Sequence, residues 1–183
     1  MNMRRKIFLV ITIACMTAIF LFSSRTGEES TGDSYFVGNM VGEIFVPGFD
    51  EWSAQEQLEF AGEIDHPVRK TAHAMEYAVL GLLTAGAFIG RRTSILAGIL
   101  VPWCIASVYA VTDEIHQLFV PGRSGQVSDV MLDSAGVLAG LLILAAVRML
   151  RRRQREAAGS VHVDLAVGTR SHLAVAAKKQ SAF

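Results

Sequence analysis

Apolar positions fall in long blocks, not at the short period of soluble helices or strands. Four blocks, residues 7–22, 72–89, 94–112 and 130–147, are almost wholly apolar. Crossing the hydrocarbon layer of a bilayer takes about 20 such residues in a helix. Each block reaches that length by borrowing its flanks. The pattern predicts an all-α membrane protein: a bundle of four transmembrane helices over about residues 7–24, 70–90, 94–113 and 129–150, with an outer loop over 25–69. The start of that loop, "SRTGEESTGDS", is polar and turn-rich, and is expected to be mobile. In "WSAQEQLEFAGEI", Ser53 and Glu56 have capping-box spacing, and Leu58, Ala61 and Ile64 recur near helical period. This predicts a short amphipathic helix at the outer interface, ended by Pro67. A solvated helix packed on top of the bundle fits the same pattern.

Composition agrees with a bilayer as solvent: hydrophobic residues make up 51% and the mean hydropathy is +0.38. Arg4, Arg5 and Lys6 precede the first block as they would in a signal peptide, but no small-x-small cleavage site follows, so a retained helix is expected. Cys15 and Cys104 lie inside apolar blocks and read as buried small hydrophobes, without a disulfide or zinc pattern. Pro102 should bend the third crossing. Gly86/Gly90 and Gly136/Gly140 are small-xxx-small pairs suited to close helix approach.

Charge sets an expected orientation. Of the 17 basic residues, all but Arg25, Arg69, Lys70 and Arg123 fall on the side that holds both termini. Basic residues concentrate in cytoplasmic segments, so both termini are expected in the cytoplasm. Of the 17 acidic residues, only Glu156 and Asp164 share that side. The run "RMLRRRQR" after the last block reads as a topology signal or a contact for anionic lipids, and no nucleic-acid role is indicated. The reading divides the chain into a membrane domain, 1–155, and a cytoplasmic tail, 156–183, with no strong period and expected disorder.

Ionisable residues interrupt the blocks at one depth. His73 and Glu76 open the second helix. Asp113, Glu114, His116 and Gln117 close the third, and Asp129 and Asp133 open the fourth. The pairs 73/76, 113/117 and 129/133 each share a helix face. Facing lipid would cost Asp133 about 2.5–3.5 kcal/mol on insertion scales, so it should face the bundle interior. Arg123, in the turn "PGRSG", either neutralises Asp129 or Asp133 or holds a place for an anionic ligand. Arg69 and Lys70 could equally be interfacial anchors, and the acids ordinary solvated caps.

The blocks "RKTAHAMEYAVLG" and "DEIHQLFVPGRSGQVSDVMLDSAG" resemble the two signature blocks of the VanZ-like family. The resembling positions are Arg69, Lys70, His73, Glu76, Tyr77, Leu80 and Gly81, then Asp113, Glu114, Gln117, Phe119, Pro121, Arg123, Asp129, Asp133 and Gly136. "LFSSR" resembles the family's Ser-Ser-Gln at the end of the first helix, with Arg25 in place of glutamine. The resemblance covers roughly residues 7–147. It implies a small multi-helix protein of the bacterial cytoplasmic membrane. The family's namesake is associated with resistance to teicoplanin, a lipoglycopeptide acting at the outer face.

Two classes of function fit these residues. One is a non-enzymatic factor whose outer cluster of Arg69, Lys70, His73, Glu76, Tyr77, Asp113, Glu114, Gln117, Arg123, Asp129 and Asp133 binds a cell-wall precursor, a lipid-linked precursor or a lipoglycopeptide. The other is a membrane-embedded acid–base or metal-dependent enzyme, with His73, Glu76, Asp113 and His116 as candidate ligands of an unspecified metal. No nucleophile elbow or HExxH motif accompanies them. A scaffold whose charges lock helix ends together is compatible with either.

Overall fold

Apolar length fixes the frame. Three helices among the described residues are long and apolar enough to cross a membrane: Met3–Ser23, Ile95–Gln117 and Val127–Arg155. A computed structural model describes residues 2–88 and 93–180, with side chains as far as Arg155. It shows α1 (Met3–Ser23), α2 (Gly27–Phe45), a single 3-10 turn (Phe49–Glu51), α3 (Ala54–Phe88), α4 (Ile95–Gln117) and α5 (Val127–Gln180). No strand occurs among the described residues. Residues Met1–Leu142 form one compact unit and Ile143–Phe183 a second. Residues 90–92 of the turn expected over 90–93, with Gly90 of the Gly86/Gly90 pair, lie outside the described residues.

The loop expected over 25–69 is instead mostly helical. Thr26 opens α2 with a capping box: its hydroxyl accepts from the Glu29 amide at 3.3 Å, and its own amide donates to the Glu29 carboxylate at 2.9 Å. These bonds hold the Glu29 carboxyl below its ordinary range. The segment is therefore not the mobile stretch its polar composition suggested. Ser53 caps α3 in the same way, at 2.8 Å and 3.3 Å, as its spacing with Glu56 predicts. Pro67 does not end that helix, which continues to Phe88. Proline forfeits one backbone bond. The Arg69–Asp65 ion pair at 2.6 Å bridges the position, and the α2 surface packs alongside.

The fourth expected crossing, in the second half of α3, is not among the three apolar helices. The reason is its place in the fold. α3 packs against α1, α2 and α4, and α5 approaches it where Gly136 faces the Ala74 carbonyl and Gly140 faces that of Ala78. Tyr77, Leu80, Thr84 and Ala85 are fully buried there with Val137 and Leu141. A helix so shielded need not be as apolar as lipid-facing ones. Ile13, Leu21, Leu96 and Val108 on α1 and α4 point outward and supply the contact with the bilayer. Cys104 is exposed on α4, not buried as expected, and Cys15 is half-buried.

Cross-links between helices are few and specific. The Tyr109 hydroxyl donates to the Met16 carbonyl at 2.6 Å, and Trp103 Nε1 to that of Ser134 at 3.0 Å. Beyond 155, the backbone of α5 is helical to Gln180.

α2 offers a clean test of helix packing. A Cβ on Gly32 would meet nothing within 4 Å, whereas one on Gly38 would press on Ala61 at 3.1 Å. Gly32→Ala should raise stability by about 1 kcal/mol through helix propensity alone. Gly38→Ala should lose that gain to crowding. Thermal unfolding of the detergent-extracted protein compares the two directly.

Candidate functional site

The site begins with a turn. Gly122 takes φ +73°, a conformation open to glycine, and the Arg123 amide closes a turn on the Val120 carbonyl at 3.1 Å. The Gly27 amide donates to the Pro121 carbonyl at 3.0 Å. Arg123 Nε donates to the Arg25 carbonyl at 3.2 Å. These bonds dock the α4–α5 turn on the α1–α2 junction, and place Arg123 among the end of α1, the middle of α3 and the start of α5.

Three nearby cations already have partners. Lys70 Nζ lies 2.6 Å from Asp129 Oδ1, Arg69 pairs with Asp65, and Arg25 pairs with Asp33. Arg123 has no carboxylate at ion-pair distance among the described residues. Burial, then the neighbouring Arg69, draws its guanidinium below the ordinary value, while Asp113, Glu114 and Asp65 oppose that shift. An arginine remains charged under such a shift. Asp129, one of two partners expected for Arg123, is engaged by Lys70.

The acids are buried and unevenly satisfied. Asp113 Oδ2 accepts from the Ser23 hydroxyl at 2.8 Å, with Gln117 Nε2 at 3.5 Å. Glu114 accepts from the Gln126 amide at 2.8 Å. Asp133 is 1% exposed, and neither of its carboxylate oxygens has a partner among the described residues. Asp113 Oδ1, His73 Nδ1 and the Tyr77 hydroxyl are likewise buried without one. Buried polar groups are normally hydrogen-bonded; of these exceptions Tyr77 and Asp113 interact with one another, while Asp133 and His73 line a cleft.

Two clefts meet here. A polar one of about 160 Å³ is lined by Arg69, Lys70, His73, Glu114, Gln117, Arg123, Asp129 and Asp133, with His66, Ser124 and Gln126. A second, of about 290 Å³, has a mixed lining: Phe22, Val37, Val68 and Ala72 supply an apolar part, with Arg25, Ser30, Asp33, Ser34 and Glu76. Arg69, His73 and Arg123 line both.

Most of the sequence-predicted cluster therefore converges. Tyr77 and Asp113 do not line either cleft; Tyr77 is buried with its ring 6.2 Å from that of Tyr109, and Asp113 is tied to Ser23. The proposed metal set does not assemble. Among the described residues no group of three or more His, Cys, Asp or Glu is placed to hold a metal. His116 instead stacks on Phe20, with centroids 4.4 Å apart, and meets Ser24 Oγ at 3.0 Å. It meets the end of α1, as Asp113 does through Ser23, and lines neither cleft. His66 and Gln126 escaped the sequence reading. Ser23 and Arg25 lie in "LFSSR", whose resemblance marked the segment without giving the Ser23 hydroxyl or the Arg25 carbonyl a role.

Neither a curated protein nor a solved structure matches the chain. A family comparison does: residues 8–148, which take in both signature blocks, all three membrane-length helices up to the end of the match and the two clefts, match VanZ/LLP1. This chain is a multi-pass membrane protein of the VanZ/LLP1 family.

Proposed function

We propose that this protein works at the outer face of the bacterial cytoplasmic membrane, with four crossings and both termini in the cytoplasm, and that its two-cleft cluster binds an envelope component. The fourth crossing is the shielded second half of α3. The ligand classes that fit are a cell-wall precursor, a lipid-linked precursor or a lipoglycopeptide of the teicoplanin type. The observation that carries the reading is Arg123: a half-buried guanidinium, docked by its Nε on the Arg25 carbonyl, beside three cations that have carboxylates while it has none. Desolvating a charge without a partner is costly, and a bound anion would offset that cost.

The test is teicoplanin susceptibility in a sensitive Gram-positive host expressing the wild type, Glu76→Gln, Asp113→Asn or Arg123→Gln. The wild type should protect. Each variant should return susceptibility to the empty-vector value at unchanged membrane abundance. Protection retained by all three variants would remove the cluster from the function.

A second reading, an acid–base enzyme on a lipid-linked precursor, is favoured by Asp133 and His73. Both line the polar cleft with unpartnered atoms suited to proton transfer. Turnover of a labelled precursor by the purified protein, lost in Asp133→Asn, would decide for it.

A further inference from the structure

The chemistry of the ligand is narrowed by what the two clefts share. Arg69, His73 and Arg123 are the groups that reach both clefts from the basic side. Arg123 spends only Nε on the protein, so its two terminal nitrogens have no acceptor among the described residues. Arg69 uses one terminal nitrogen on Asp65. His73 Nδ1 is buried without a partner. Most neighbouring acids are engaged: Asp129, Asp65 and Asp33 by Lys70, Arg69 and Arg25, Glu114 by the Gln126 amide and Asp113 by Ser23. Asp133 lines the same polar cleft with both oxygens unpartnered, yet no carboxylate among the described residues lies at ion-pair distance from Arg123. On one side of the basic trio the walls carry Phe22, Val37, Val68 and Ala72 among Arg25, Ser30, Asp33, Ser34 and Glu76; on the other they are polar, with Lys70, Ser124, Gln126 and Asp129.

We infer that Arg69, His73 and Arg123 seat the phosphate of an amphiphilic lipid, its apolar part beside Phe22, Val37, Val68 and Ala72 and its polar head in the cleft beside Lys70 and Asp129. This rests on the reading that the cluster binds an envelope component, and names that component's class. Arginine is suited to the role, because its planar fork meets two phosphate oxygens at once. Phosphate oxygens would satisfy nitrogens that the fold leaves open. The apolar cleft distinguishes a lipid phosphate from a free one, since a free anion has no use for Phe22 or Val37. Glu76, also in the apolar cleft, sits one turn along α3 from His73 and would disfavour an anion placed deeper.

The full-length protein in a neutral detergent can be titrated with dioctanoyl phosphatidic acid, dioctanoylglycerol and inorganic phosphate, by calorimetry. Phosphatidic acid should bind saturably, and the other two about tenfold more weakly or worse. Arg123→Gln should weaken phosphatidic acid about tenfold or more, with Arg123→Lys in between. Ala72→Phe, which fills the apolar cleft, should weaken phosphatidic acid and leave inorganic phosphate unchanged. Unchanged thermal midpoints confirm that these variants fold. Dioctanoylglycerol binding as tightly as phosphatidic acid, or an Arg123→Gln variant of wild-type affinity, would overturn the inference. Inorganic phosphate binding as tightly as phosphatidic acid would overturn the lipid assignment. Loss of protection in Arg123→Gln without any phosphatidic acid binding would overturn this inference and leave the envelope function standing. Phosphatidic acid binding as expected, in a protein that gives no protection, would do the reverse.

Discussion

Gly136→Leu should strip the folded protein from the membrane. A Cβ at this position would fall on the Ala74 carbonyl, and one turn later a Cβ on Gly140 would lie 2.9 Å from the Ala78 carbonyl. Backbone cannot yield as a side-chain tip can. To admit leucine, α3 and α5 must separate, and Tyr77, Leu80, Val137 and Leu141, all within 1% of full burial, lose their packing. Overpacking a well-filled core typically costs about 1–3 kcal/mol, and the rigid neighbour here places the cost at about 3 kcal/mol or more. That is a large share of an ordinary stability of about 5–15 kcal/mol. Membrane abundance by quantitative blot and the thermal midpoint of the extracted protein both report it. Gly32→Leu, with nothing within 4 Å of its Cβ, is the matched control and should accumulate normally. Gly136→Leu at wild-type abundance and midpoint would show that the helices do not cross as closely as described.

The same crossing explains what could be read from the sequence. Gly136 and Gly140 announced a close approach by spacing alone, and His73, Glu76, Arg123, Asp129 and Asp133 could be placed in one layer because membrane helices alternate direction. The partner of each charge could not be read. Lys70 took Asp129, and a separation of 59 residues carries no local pattern that would say so. Asp113 found Ser23 across 90 residues, and Arg123 found the Arg25 carbonyl across 98. α2 was missed for a different reason. Thr26 and Glu29 form the same Thr/Ser-x-x-Glu capping box that was credited at Ser53 and Glu56. The glycines and serines around it suggested a loop, yet Ser30, Ser34, Gly38 and Gly42 recur every fourth residue and form the buried face of α2. Small residues at helical period mark a packed helix as surely as large ones, with the large residues, Phe36, Met40 and Ile44, left pointing outward. Pro67 misled because a proline signal is local, while α3 is held by neighbours along its whole length.

Asp133→Leu should make the protein more stable and abolish its function. Asp133 is 1% exposed and neither carboxylate oxygen is hydrogen-bonded by a described residue, yet the side chain lines the polar cleft. Leucine has the same branching, with a methyl group in place of each oxygen and its added bulk beside the polar cleft, and no group to satisfy. Burying a polar group without a hydrogen bond costs about 1–3 kcal/mol in proteins, and an apolar side chain removes that cost. Asp113→Leu should go the other way, because it orphans the Ser23 hydroxyl that donates to Asp113 at 2.8 Å, a loss of about 1–3 kcal/mol. The two acids thus separate by sign on one assay, the thermal midpoint of the extracted protein. A scaffold whose charges lock the helix ends predicts a fall in both, since breaking a buried pair costs about 3–5 kcal/mol. A rise for Asp133→Leu together with lost protection in the susceptibility assay would mean that the fold tolerates Asp133 at a cost to its own stability. A residue kept under those terms is kept for what enters the cleft.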